Sequence, residues 1–259
     1  MDKLSDYKLW DPKKYLAEYY STPHVSEDEA AVFRFIHQTL SGISEMLPKA
    51  LEFGCGPTIH HAAALGPFVQ KLDMTDYLDS NLTEVKLWLS EDPDMHNWDI
   101  YLSGKDGGVL DSQGKVSSKE NLEELKRVLR SKVTKLVKAD ILDRNSLKKL
   151  GRYNLVASFY CVEAVSTSKE LWKECMYNLW DLVESKGCLI MSSLRGSKFY
   201  KVGEKYFPNA NITKKDFSDF FSEIPNVKRE SIDIEVVDVK EWEQEGFDGI
   251  ILVKAEKSL

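Results

Sequence analysis

Strand-like and helix-like patterns alternate along most of this chain, and few folds accept that order. Five short apolar runs come first: ALEF (50–53), KLDMTDY (71–77), KLVKADI (135–141), NLVASFY (154–160) and CLIMSSL (188–194). Stretches with helical spacing lie at 57–66, 80–90, 119–131, 144–150 and 169–184. Strands joined by helical crossovers run parallel, and the helices then cover both faces of the sheet. Two further strands, IDIEVVDV (232–239) and GIILVKA (249–255), follow one another with no helix between them. They predict an antiparallel pair joined by EWEQEGFD, whose acidic Glu241, Glu243, Glu245 and Asp248 have no orientation fixed by pattern alone. The expected fold is α/β: a seven-stranded, mostly parallel sheet with an antiparallel last strand.

Ahead of this pattern, SEDEAAVFRFIHQTL has Ser26 and Glu29 at capping-box spacing and apolar residues Ala30, Phe33, Ile36 and Leu40 at helical spacing. The helix is expected to run to about Leu47, before Pro48. Residues 1–47 then form a helical cap on a core of 48–259, within a single domain of 1–259. The glycine- and serine-rich insert 103–118 reads as an exposed loop. With 42% apolar residues the chain can build a sizeable core. A net charge of −7 argues against nucleic acid and anionic membranes as partners. The N-terminus lacks a signal-peptide apolar segment, and no run reaches membrane-spanning length. Cys55, Cys161, Cys175 and Cys188 form no CxxC pair and have no histidine at finger spacing, so reduced thiols and no metal are expected. A cytoplasmic monomer is the default.

Between the first strand and its helix stands Gly54-Cys-Gly56-Pro57-Thr58. In parallel α/β sheets, ligands bind outside the carboxyl ends of the strands. Gly54 and Gly56 let backbone approach a ligand, Pro57 suits a first helical turn, and Thr58 and His60 offer donors. A dinucleotide loop would want a third glycine where Ile59 stands, so an oxidoreductase is the weaker alternative. Asp76, at the tip of the second strand, can accept from both ribose hydroxyls. Tyr77 can stack on a purine, and Asn81 can bond back toward the ligand. Asp140 and Ile141, ending the third strand, can receive and cover an adenine. Each acid could instead cap the helix that follows it. Glu163 follows the apolar fourth strand. Desolvation would raise its pKa and suit it to act as a general base or amine anchor.

LEFGCGPTIH, MTDYLDSNLTEVKLWL, KADI, SFYCVEAVS and FYKVGEKYF, in this order behind DPKKYLAEYY, resemble the class I S-adenosylmethionine-dependent methyltransferases. The resemblance runs from about Trp10 to Lys254. It is strongest to the small-amine subgroup, the nicotinamide, phenylethanolamine, indolethylamine and thioether methyltransferases. It implies a Rossmann-like fold, S-adenosylmethionine as methyl donor with S-adenosylhomocysteine as product, and a small amine or pyridine as acceptor. It also implies roles. Tyr15 and Tyr20 close over the methionine end of the cofactor, with Tyr15 also on the substrate side. Gly54, Gly56, Thr58 and His60 hold the carboxylate and amine region. Asp76, Tyr77 and Asn81 bind ribose and adenine, and Asp140, Ile141 and Phe159 frame the adenine side. Glu163 faces the substrate amine, with Ser192 and Tyr200 lining its pocket. There are departures. His60 stands where relatives often carry tyrosine. Ser192 replaces the aspartate of nicotinamide-specific enzymes, and SLRGSKFYKVGE is one residue longer. VEAVS is closer to the phenylethanolamine type, which handles primary amines. A methyltransferase-like protein that binds cofactor without turnover is the non-enzyme alternative.

Overall fold

The first helix starts where Asp11 precedes Pro12: the carboxylate accepts from the Lys13 and Lys14 N–H groups, and proline fills the first turn at no cost in hydrogen bonds. The computed structural model describes residues 6–104, 107–241 and 246–259. They divide into two units, Asp11–Lys138 and Ala139–Leu259, the second including the segment that ends at Trp10.

In chain order the first unit holds α1 (Pro12–Tyr19), α2 (Glu27–Leu40), β1 (Ala50–Phe53), α3 (His60–Leu65), β2 (Leu72–Asp76), α4 (Asp79–Leu89), α5 (Asp99–Ser103), α6 (Val109–Ser112), α7 (Lys119–Lys132) and β3 (Val133–Lys138). β1 pairs in parallel with β2, Ala50 opposite Leu72 through Phe53 opposite Thr75, and β2 with β3. Every residue of β1 and β2 is buried, as expected for strands covered on both faces.

The second unit holds α8 (Arg144–Lys148), β4 (Tyr153–Phe159), α9 (Lys169–Asp181), β5 (Val183–Leu194), β6 (Phe199–Val202), β7 (Lys205–Pro208), α10 (Lys214–Glu223), β8 (Asp233–Asp238) and β9 (Gly249–Glu256). β4 and β5 are parallel, whereas β9 runs antiparallel to both β5 and β8. The sheet order is β3-β2-β1-β4-β5-β9-β8, with β6 and β7 forming a separate hairpin. This is the expected seven-stranded sheet with one antiparallel strand. Among the described residues no helix is long and apolar enough to cross a membrane. Cys55 and Cys175 are buried, and Cys161 and Cys188 half-buried.

Several expectations change in detail. α2 ends at Leu40, and Leu47 instead bridges to Val69. Ser26 makes no side-chain cap bond, and the Glu29 carboxylate is turned inward to His60 and His61; the capping box is at Thr213 and Asp216, ahead of α10. α3 begins at His60 and not at Pro57, since the Thr58 hydroxyl bonds the Cys55 carbonyl and prolongs the turn. The insert 103–118 is not simply an exposed loop. It carries α6, whose Val109 and Leu110 are buried. A Cβ on Gly107 would lie 2.5 Å from the Ala30 Cβ, and one on Gly108 2.6 Å from the Gly104 nitrogen. Those glycines serve close approach rather than flexibility. In the β8–β9 connection, Glu243 and Glu245 lie outside the described residues, while Asp248 pairs with Arg195 at 2.9 Å.

Candidate active site

In the first unit, Gly54 and Gly56 both take left-handed backbone, with φ of 71° and 60°. A residue with a Cβ adopts that conformation only at a cost. The turn delivers the Gly56 N–H to Asp76 Oδ2 at 2.9 Å. Asp76 Oδ1 accepts from the Leu78 N–H at 2.8 Å and from Asn81 Nδ2 at 2.9 Å. Asp76 therefore ties the glycine turn to the start of α4 instead of only capping it. Burial raises its carboxyl above the usual aspartate value, against the lowering effect of these hydrogen bonds. The Asn81 Oδ1 is buried with no hydrogen-bond partner among the described residues. Tyr77, 45% exposed, leaves its ring open to stacking.

Below this turn lies a buried charge cluster that pattern reading missed. Glu29 of α2 receives His60 Nε2 at 3.0 Å on one oxygen and His61 Nε2 at 2.7 Å on the other. Tyr20 donates its hydroxyl to Glu29 Oε1 at 3.0 Å. Burial alone would raise the Glu29 carboxyl, but the two imidazoles override it and hold it far below the usual range. Burial and the charge of His61 push His60 down to about 4. Glu29 raises His61 in spite of burial. Of the two imidazoles, His61 is the one whose charged form Glu29 favours, and His60 the one held toward neutrality. The His60 ring stacks on Trp98 at 4.7 Å, and Tyr20 lies 4.9 Å from it. Tyr15 packs against Tyr20 at 5.6 Å, so the tyrosines expected over the cofactor share one aromatic cluster with His60. Glu52 of β1 is also buried, has no hydrogen bond to either oxygen among the described residues, and is pushed up to about 8 by that burial. Two signals in the sequence pointed here: adjacent histidines after the glycine turn, and a glutamate flanked by Leu51 and Phe53 inside a strand.

Removing the Glu29 carboxylate should strip a buried imidazolium of its counterion. Such a loss costs about 3–5 kcal/mol. Glu29→Ala should therefore lower the urea midpoint strongly; a midpoint within error of the parent chain would contradict the pairing. Glu29 is held low, so its contribution is present above the usual carboxylate range and lost as pH falls through the folded value.

In the second unit, Tyr160 follows β4 in left-handed backbone, φ 51°, an uncommon state for a bulky residue. The chain then turns tightly, with the Ala164 and Val165 N–H groups both bonded to the Cys161 carbonyl. That turn points the Glu163 carboxylate inward, fully buried. Oε1 accepts from the Leu194 N–H at 2.9 Å, and Oε2 has no partner among the described residues. Burial pushes the carboxyl up to about 7, against the lowering hydrogen bond from Leu194. α9 is capped by Ser168, so capping that helix is not the task of Glu163. The Glu163 carbonyl accepts from the Ala210 N–H at 2.9 Å, bringing the segment after β7 alongside. Asn209, next to it, is buried with its whole carboxamide unpartnered among the described residues; the sequence reading had not singled it out. The Ser192 hydroxyl is likewise buried and unpartnered, opposite Phe159 in register. Tyr200 donates to the Tyr7 hydroxyl at 3.3 Å, and Tyr7 donates to the Ala164 carbonyl. Just past the tip of β3, Asp140 accepts from the Leu142 N–H at 2.9 Å, and the Ile141 carbonyl accepts from Asn178 at 2.8 Å.

The model of the NNMT/PNMT/TEMT family matches residues 1–258 of the chain. The phenylethanolamine N-methyltransferase of Sus scrofa is 28% identical over 209 residues, covering 76% of this chain and 71% of the relative. The nicotinamide N-methyltransferase of Homo sapiens is 25% identical over 215 residues, covering 80% of this chain and 78% of the relative. Among solved structures, the N-methyltransferase NodS of Bradyrhizobium japonicum, in complex with S-adenosylhomocysteine, shares the fold. Its TM-score is 0.55 at 10% identity, over 96% of this chain and 99% of that one.

Proposed function

The chain belongs to the NNMT/PNMT/TEMT family of S-adenosylmethionine-dependent methyltransferases, and from that premise we propose that it methylates the nitrogen of a small amine, an aliphatic amine in preference to a pyridine. The observation that carries this reading is Glu163: a fully buried carboxyl with one oxygen anchored and the other without a partner among the described residues. An aliphatic amine is mostly protonated at neutral pH, with the lysine reference near ~10.4. It becomes a nucleophile only after losing that proton. A pyridine nitrogen needs no base.

The residues of the glycine turn fit the cofactor. Gly54 and Gly56 keep the turn free of side chains, and the buried Asn81 Oδ1 and the Asp76 carboxylate offer acceptors to a polyhydroxylated nucleoside. Ile59, fully buried, fills the place a third glycine would take in a dinucleotide loop. When bound, the cofactor supplies a methyl carbon activated by a sulfonium. Asp76 would hold the ribose and Tyr77 the base, Asp140, Ile141 and Phe159 would serve the adenine, and Thr58 and His60, with Tyr15 and Tyr20, the methionine end. On the acceptor side, Glu163 Oε2 anchors the ammonium and takes its proton, directly or through one water. The hydroxyls of Ser192 and Tyr200 orient the rest of the molecule. Ser192 in place of an aspartate removes a charge that a carboxamide would use, which again favours a simple amine.

The test is a thermal-shift panel of S-adenosylmethionine, S-adenosylhomocysteine and NAD, followed by a mass-spectrometric screen of amine, pyridine and thioether pools. We expect stabilisation by the first two ligands and products one CH2 unit heavier among primary or secondary amines. Products confined to pyridines or thioethers would overturn the amine assignment.

A further inference from the structure

Among the described residues, Glu29, His60 and His61 form the one group of three potential metal ligands, their donor atoms all within 4.8 Å of one another. Oxygen–nitrogen separations of 3.0 and 2.7 Å already bring both Nε2 atoms to one carboxylate. A tetrahedral ion with bonds of about 2.0–2.1 Å needs donors only a few tenths of an ångström further apart. Two imidazoles and a carboxylate are a donor set that suits zinc or cobalt over magnesium or calcium.

A second, independent observation points the same way. Glu52 is buried, neither oxygen has a hydrogen bond among the described residues, and Oε1 faces His61 Nδ1 at 3.8 Å. A buried polar group left without a hydrogen bond is expensive, and here two carboxyl groups flank one imidazole. A carboxylate behind the second nitrogen of a histidine is also the usual outer partner of a metal-bound imidazole, fixing its tautomer and raising its basicity. The rings of Trp98, Phe33 and Tyr20 supply the apolar wall that keeps water from competing.

We propose that Glu29, His60 and His61 are the ligands of a single buried divalent ion of the zinc type, with Glu52 as the outer partner of His61. The ion takes the place of the Nε2 protons now shared with Glu29, so its uptake releases protons. It would pin α2 to α3 directly behind the glycine turn. The ion is structural: it takes no part in methyl transfer, but it fixes His60 and, through Glu29, Tyr20, which the proposed function puts at the methionine end of the cofactor. The ligands come from two helices and are 31 and 32 residues apart, so the site exists only in the folded chain and its occupancy stabilises that fold.

The experiment uses the full chain expressed in medium supplemented with zinc or, separately, cobalt, then passed over a chelating resin. Metal per chain is read by atomic emission, and for cobalt also by visible ligand-field absorption. We expect close to one equivalent retained, with four-coordinate cobalt bands. Affinity should fall about 10–100-fold in Glu52→Gln, as for loss of an outer partner, and stoichiometric retention should be lost in His61→Gln. A parent chain that emerges free of metal overturns the proposal without reference to any variant. So does metal retained equally by His61→Gln, which would place it elsewhere.

Discussion

Glu163→Gln should reduce kcat on the true amine by about 10²–10⁴-fold, the usual contribution of a positioned general base. Calorimetric affinity for S-adenosylmethionine should stay within about twofold, a change worth well under 1 kcal/mol. Glutamine keeps the acceptor for the Leu194 N–H but cannot take a proton or balance an ammonium. The pH profile makes the expectation sharper. Burial places the Glu163 carboxyl at about 7, and only its ionised form is a base. Parent activity should therefore climb as pH rises through about 7, and the residual activity of the variant should lack that step. Stability moves the opposite way. A carboxyl raised from 4.5 to about 7 favours the folded state fully below the ordinary value, and that advantage disappears as pH rises through the folded value. The parent chain should thus lose about 3 kcal/mol between pH 4.5 and 8 from this group alone. Glu163→Gln should escape that loss, becoming less active yet relatively more stable at alkaline pH. Equal kcat, or identical pH dependence of the two denaturation midpoints, would remove Glu163 from the role given to it.

Asp76→Ala should weaken S-adenosylmethionine binding by at least about 10²-fold, close to 3 kcal/mol. Two effects add. The carboxylate is the acceptor assigned to the ribose, and hydrogen bonds to charged groups contribute about 1.5–3 kcal/mol each. It also receives the N–H groups of Gly56 and Leu78 and the amide of Asn81, so its removal frees three donors. Loss of order in the left-handed turn then compounds the loss of the contact. Asp76→Asn separates the two, because it keeps the size and one acceptor while placing a donor against other donors. It should bind better than the alanine variant and worse than the parent. Isothermal titration with S-adenosylhomocysteine reads both, and unchanged affinity in Asp76→Ala would take the cofactor off this strand tip.

Much of the sheet was legible because its strands are short, apolar and separated by helical spacing; β1, β2 and β4 lie within a residue or two of their pattern. The β6–β7 hairpin was not legible, since strands of four residues with mixed polarity leave no period to count. Nor was α6, where glycines needed for close backbone approach look the same on paper as glycines that loosen a loop. On the site, the strand-tip acids could be found because topology alone puts them at the carboxyl edge. The Glu29–His60–His61 cluster was only half visible: the paired histidines stand out, but a glutamate three residues after a serine satisfies the capping pattern equally well. Only packing shows that its carboxylate turns inward. Asn209 was hidden for a related reason: nothing local marks an amide whose importance lies in being left without a partner.

The Tyr7 hydroxyl holds the Ala164 carbonyl, one residue beyond Glu163, and Tyr200 holds Tyr7. The segment that ends at Trp10 is thus tied to the peptide that carries Glu163, and Tyr7 cannot lift without loosening that peptide. With Glu163 in the role proposed for it, releasing product past Tyr7 and relaxing the pocket around that carboxyl would be one event.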